Sequence, residues 1–71
     1  MSEYVVVFER AEDGGWGAYV PDLPGVIALG ASRQEVAARI QEAVDAYARE
    51  QAELGRPLPA PIAVTGTIEA A

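Results

Sequence analysis

Val20-Pro21-Asp22-Leu23-Pro24-Gly25-Val26 is the stretch on which the fold turns. Each proline holds φ near −65°, and Gly25 can enter the left-handed backbone region that most side chains avoid. Strand-like sequence flanks it on both sides: Trp16-Gly17-Ala18-Tyr19-Val20 before it and Val26-Ile27-Ala28-Leu29-Gly30 after it. A tight turn between two such runs predicts an antiparallel pair of strands over 16–20 and 26–30.

Working towards the N-terminus, Glu12-Asp13-Gly14-Gly15 contains Asp-Gly, the strongest short hairpin signal. Ahead of it, Glu3-Tyr4-Val5-Val6-Val7-Phe8-Glu9 is β-branched and aromatic, which predicts a strand over 3–9. Tyr4, Val6 and Phe8 alternate with Val5 and Val7, so both faces of that strand are apolar, as in a strand covered on both sides.

Towards the C-terminus, Ser32-Arg33-Gln34-Glu35 opens a helix predicted over 33–54. Ser32 is a natural N-cap, and Glu35 can reach back to the Ser32 N–H as a capping box. Val36, Ile40, Val44 and Tyr47 recur at helical spacing, broadened by Ala37, Ala43 and Leu54. Glu35–Arg39 and Asp45–Arg49 are i,i+4 pairs in the favourable order. Gly55 stands where a left-handed C-terminal residue belongs, and Pro57 bars continuation. Pro57, Pro59 and Pro61 make a stiff connector to a fourth strand, Ile62-Ala63-Val64-Thr65-Gly66-Thr67-Ile68.

The fold class is therefore α+β, a single domain over 1–71 with the order β-β-β-α-β. A right-handed crossover through the helix places the fourth strand beside the first, giving a four-stranded mixed sheet in the order 3-2-1-4. The helix packs on one face of it. The other face is apolar, and nothing in the 71 residues is left to cover it.

Composition limits what such a domain can do. A chain of 71 residues buries only about 60% of the surface its unfolded form exposes. With no Cys and no His, disulfides, thiolate sites and imidazole ligands are all out, and any zinc site would need carboxylates alone. No metal and no cofactor is predicted. Oligomerisation, as a dimer or tetramer, is the remaining way to reinforce a small core. The net charge of −6 repels nucleic acid, and Arg33, Arg39 and Arg49 are interleaved with acids rather than gathered into a basic stripe. No apolar run approaches the ~20 residues of a membrane span, and no basic-then-apolar leader opens the chain, so a cytoplasmic protein is expected.

Catalysis finds little to work with. Glu3 and Glu9 at the ends of one strand stand roughly 20 Å apart, too far to share a metal ion. Ser32, Thr65 and Thr67 have neither a His nor a Lys to activate them. Gly14, Gly15 and Gly17 do not open a helix and so cradle no phosphate. Tyr4, Trp16 and Tyr19 lack the positive charge that accompanies a base-stacking platform. The chain reads as a non-enzyme whose apolar sheet face meets another protein.

Asp22-Leu23-Pro24-Gly25, followed by Gly30-x-Ser32-x-x-Glu35 and the Pro-x-Pro run, resembles the HicB-like antitoxin family over nearly the whole chain. The resemblance implies a partial RNase H-like domain that self-associates. It also implies binding and neutralisation of a small basic toxin, an mRNA-cleaving ribonuclease with a double-stranded-RNA-binding-like fold. Full antitoxins of this family carry a C-terminal helix-turn-helix or ribbon-helix-helix that binds the operator. The sequence stops at Ala71, so neither DNA binding nor autorepression is expected.

Structural roles are assigned to Pro21, Asp22, Leu23, Pro24 and Gly25 in the turn, and to Gly30, Ser32 and Glu35 at the helix entry. The candidates for partner contact are Glu12, Asp13, Trp16, Tyr19 and Asp22. The alternative is an orphan homo-oligomeric scaffold or small-ligand-binding domain of the same fold, with no toxin.

Overall fold

The computed structural model describes residues 3–71. Three short strands, β1 (Val7–Arg10), β2 (Trp16–Tyr19) and β3 (Ile27–Gly30), precede one helix, α1 (Arg33–Glu53). The strands form an antiparallel sheet in the order β1-β2-β3. Phe8 stands opposite Ala18, and Ala18 opposite Ala28, while Val7, Tyr19 and Ile27 form the next cross-strand row. Because side chains alternate across a strand, these two rows face opposite ways.

The row through Ala18 and Ala28 looks towards α1. Ala18, Val20, Leu23, Val26, Ala28, Val36 and Ile40 form the buried core, with Tyr4, Val6, Phe8, Trp16, Ala43, Val44 and Tyr47 packed around it. Alanines on the sheet let the helix come close, and Val36 and Ile40 project from consecutive turns of α1 into the space above them. The helix packs over β2 and β3.

The stretch from Val20 to Val26 folds as two linked turns. The Leu23 N–H donates to the Val20 carbonyl at 3.0 Å, and the Val26 N–H donates to the Leu23 carbonyl at 3.1 Å. Each turn has proline at its second position. Gly25, at the third position of the second turn, has φ +87°, as a type II turn requires. Leu23 is shared by both turns and is fully buried. The reversal thus drives a leucine into the core, and does not merely link two strands.

Both ends of α1 are built from local chemistry. Ser32 Oγ accepts from the Glu35 N–H at 3.1 Å. The Glu35 carboxylate accepts from the Ala31 N–H at 2.9 Å, one residue before the cap, and not from the Ser32 N–H that a capping box uses. At the other end the Gly55 N–H donates to Ala52 and the Arg56 N–H to Gln51, with Gly55 at φ +67°. These bonds are those of a Schellman motif, and Leu54 is the C-cap. On the surface of α1, Arg39 pairs with Glu35 at 3.4 Å. Asp45 accepts from the Gln41 amide at 3.0 Å, and this bond stands in place of the expected Asp45–Arg49 pair.

The sequence expectation differs most over the fourth strand. Residues 62–68 form no strand, and the sheet has three strands rather than four in the order 3-2-1-4. The physical reason lies in where the segment is held. Asp22 Oδ2 accepts from both the Ile62 and Ala63 N–H groups, each at 3.1 Å, so two donors of the would-be strand are tied to the β2–β3 turn. β1 is correspondingly shorter than 3–9, because residues 3–6 run past the end of β2 and find no ladder partner there.

Candidate functional site

The outward row of the sheet is apolar. Tyr19 is partly exposed, and Ile27 and Leu29 on the edge strand β3 are 63% and 70% exposed, so the three together make an apolar patch in water. Val7 pairs with Tyr19 on this face, and Leu29 lies across Gly17, where an added Cβ would meet its Cδ2 at 3.1 Å. Alternation along β2 puts Tyr19 and Trp16 on opposite faces of the sheet.

The five candidate contact residues do not form one patch. Glu12 and Asp13 lie in the β1–β2 hairpin loop, at one end of the sheet, and Asp22 lies at the other end. Asp13 Oδ1 accepts from the Gly15 N–H at 2.9 Å, closing that loop. Trp16 is half-buried on the helix side, with the Arg10 guanidinium 5.9 Å from its ring centroid. Tyr19 alone of the five belongs to the exposed apolar face.

Asp22 is held in a role that the sequence does not disclose. Besides its place in the first turn, its carboxylate clamps the chain 40 residues further on, at Ile62 and Ala63. A second tie, from the Tyr4 hydroxyl to the Pro59 carbonyl at 2.5 Å, holds the same connector. Neither bond has a sequence signal, since both join residues far apart in the chain. Arg39 makes a third unforeseen contact, donating to the Leu29 carbonyl at 2.7 Å and so covering part of the outer edge of β3.

A groove of about 370 Å³ opens between the lead-in to β1 and α1, lined by Glu3, Tyr4, Val6, Val20, Ile40, Gln41 and Val44. Its walls are mostly apolar. Among the described residues no cluster of acidic side chains has the makings of a metal site, and no helix is long and apolar enough to cross a membrane.

An exposed apolar sheet face and an acidic surface suit a chain that works by contact with other proteins. The family model for "HicB_like antitoxin of bacterial toxin-antitoxin system" matches residues 4–71. The chain belongs to that family. No curated protein and no solved structure matches it. For a HicB-like antitoxin the double turn, the capped helix and the exposed face acquire a context, because the family's role lies in a toxin–antitoxin pair and implies a toxin as partner.

Proposed function

We propose that the chain is a non-enzymatic, cytoplasmic antitoxin that binds a small basic mRNA-cleaving toxin and neutralises it by covering its active surface. The family match over residues 4–71 carries this reading. The net charge of −6 supports it, since an acidic protein both attracts a basic partner and steers its approach. Glu12 in the hairpin loop and Tyr19 on the outer face are the contact residues with least structural duty. Asp13, Trp16 and Asp22 would contribute from positions already engaged in local bonds or packing.

In this reading the chain also self-associates, as a dimer or tetramer, which reinforces a core made largely of small side chains. With a fourth strand beside β1 the sheet would take the partial RNase H-like order 3-2-1-4.

The test is an RNA-cleavage assay with the small basic protein encoded beside this chain. Stoichiometric addition of the chain is expected to abolish cleavage, with slower association as salt rises. Cleavage that proceeds unchanged, with no complex on light scattering, would overturn the antitoxin reading.

A further inference from the structure

Two segments of this chain have strand-like sequence and no strand partner, and both lie at the same end of the sheet. One is the lead-in to β1, residues 4–6, which runs beyond the last paired residue of β2. The other is 62–68, where Ile62, Val64 and Ile68 alternate with Ala63, Thr65 and Thr67. In the second segment Ile62, Val64 and Ile68 are 81%, 89% and 96% exposed. Apolar residues in strand alternation and that far into water call for a covering surface.

The sheet offers two edges, and they are not equivalent. The Val20 N–H bonds the Val26 carbonyl, so the β2 residues Ala18 and Val20 direct their backbone groups to β3, and Gly17 and Tyr19 direct theirs to β1. The register then leaves the N–H and C=O of Phe8 and Arg10 pointing away from β2, along the free edge of β1. On β3 the corresponding outward carbonyl of Leu29 is already taken by Arg39. β1 thus has the freer edge, and the apolar groove between Tyr4, Val6, Ile40 and Val44 runs beside it.

The chain's own tail is led away from this edge. It passes Tyr4 at Pro59 and reaches Asp22 at Ile62 and Ala63, crossing the end of the sheet from the β1 side to the β2–β3 turn. Beyond Ala63 it leaves its own body. The connector before it holds Pro57, Pro59 and Pro61, which stiffen it and resist folding back.

Resting on the self-association proposed for this chain, we propose that residues 62–68 add as a fourth strand to the free β1 edge of a second copy, which returns the same strand. The occupant of the groove is thus another copy of this chain. The contact is made by the segment that adds least repulsion: two bodies of net charge −6 repel, but residues 57–68 contain no charged side chain. Strand addition through an uncharged segment lets like-charged copies meet where the repulsion is least. Ile62, Val64 and Ile68 would face the groove, and Thr65 and Thr67 would face outwards. Both open edges and both exposed tails are then covered in one closed pair.

Solution mass by light scattering, together with amide hydrogen exchange, tests this on the full chain. The expected mass is twice 7.5 kDa, with the alternate amides of 64–68 that face β1 protected. The double variant Val64→Asp, Ile68→Asp is expected to run at the single mass with its helix signal intact and those amides unprotected. A wild-type chain at the single mass overturns self-association itself. Protected 64–68 amides in that monomer would further assign the strand to its own chain. An assembly unchanged by the double variant overturns the exchange alone. If the variant fails to fold, unprotected 64–68 amides in the wild-type assembly overturn the exchange just as well. Toxin inhibition is read separately, so its outcome does not bear on this one.

Discussion

The backbone of Gly30 lies so close to Glu35 that a Cβ at position 30 would stand 2.6 Å from the Glu35 Oε1, and 2.9 Å from a Val36 methyl. The end of β3 and the first turn of α1 are therefore in contact with no room between them. The carboxylate can swing aside, at the cost of its bond to the Ala31 N–H. The Val36 methyl cannot, because Val36 is β-branched and fully buried.

Gly30→Ala should accordingly destabilise the fold by about 1–3 kcal/mol, the range for an extra methyl in packed surroundings. Urea unfolding followed by circular dichroism measures it. A loss no greater than that of an exposed-surface change would mean that β3 and α1 sit further apart.

Gly25 differs in kind, because there is space for a side chain there but not for the backbone angle one would need. Nothing lies within 4 Å of a Cβ there, while φ is +87°. Gly25→Val should destabilise by more than about 1 kcal/mol through backbone strain alone. Gly25→Asn is the control: it adds a side chain to the same open space, but asparagine tolerates a positive φ at that turn position, and so it should lose less. Equal melting temperatures for the two variants would show that the second turn is not type II.

Leu23→Ala should be the most damaging of the simple truncations. Leu23 is fully buried in a turn anchored by two backbone bonds, so the site cannot collapse to fill the void. Losses of about 2–5 kcal/mol are usual for such a change, against a total stability of roughly 4–10 kcal/mol for a chain this long. The variant is expected to be largely unfolded in mild urea. A cost under about 1 kcal/mol would place Leu23 outside the core.

The contrast between these residues shows what the sequence could disclose. A tight turn at 20–26, the helix caps and the apolar alternation rest on neighbours in the chain, and the residues themselves state them: Pro21, Pro24 and Gly25 bend the backbone, Ser32 caps, Gly55 stops; that the bend is two linked turns comes from the structure. That Leu23 fills the centre of the core is hidden, because a leucine between prolines carries no periodicity. The fate of 62–68 was hidden for a stronger reason. Its alternation says that the segment suits a strand, but pairing depends on where Asp22 and Tyr4 hold it, and those bonds span the length of the chain. Among the candidate contacts, Tyr19 was legible as a face residue. The separation of Glu12 and Asp13 from Asp22 was legible too, because successive turns of an antiparallel meander lie at opposite ends of the sheet.

Asp22 offers the sharpest separation between turn and tail. It shapes the first turn through its backbone and holds the tail through its carboxylate, so the two duties reside in different atoms. Asp22→Ala removes only the second. Bonds from backbone N–H groups to a charged acceptor are worth roughly 1.5–3 kcal/mol when buried, but these lie at a partly exposed site and the tail they hold has little packing of its own. The expected loss of global stability is under about 1 kcal/mol, while the Ile62 and Ala63 amides should exchange markedly faster. If the variant instead unfolds with Leu23→Ala-like severity, the carboxylate is holding the turn itself, and the tail is a passenger. If exchange at Ile62 and Ala63 does not change, another acceptor holds them, and the clamp that turns the tail away from its own β1 edge is not Asp22.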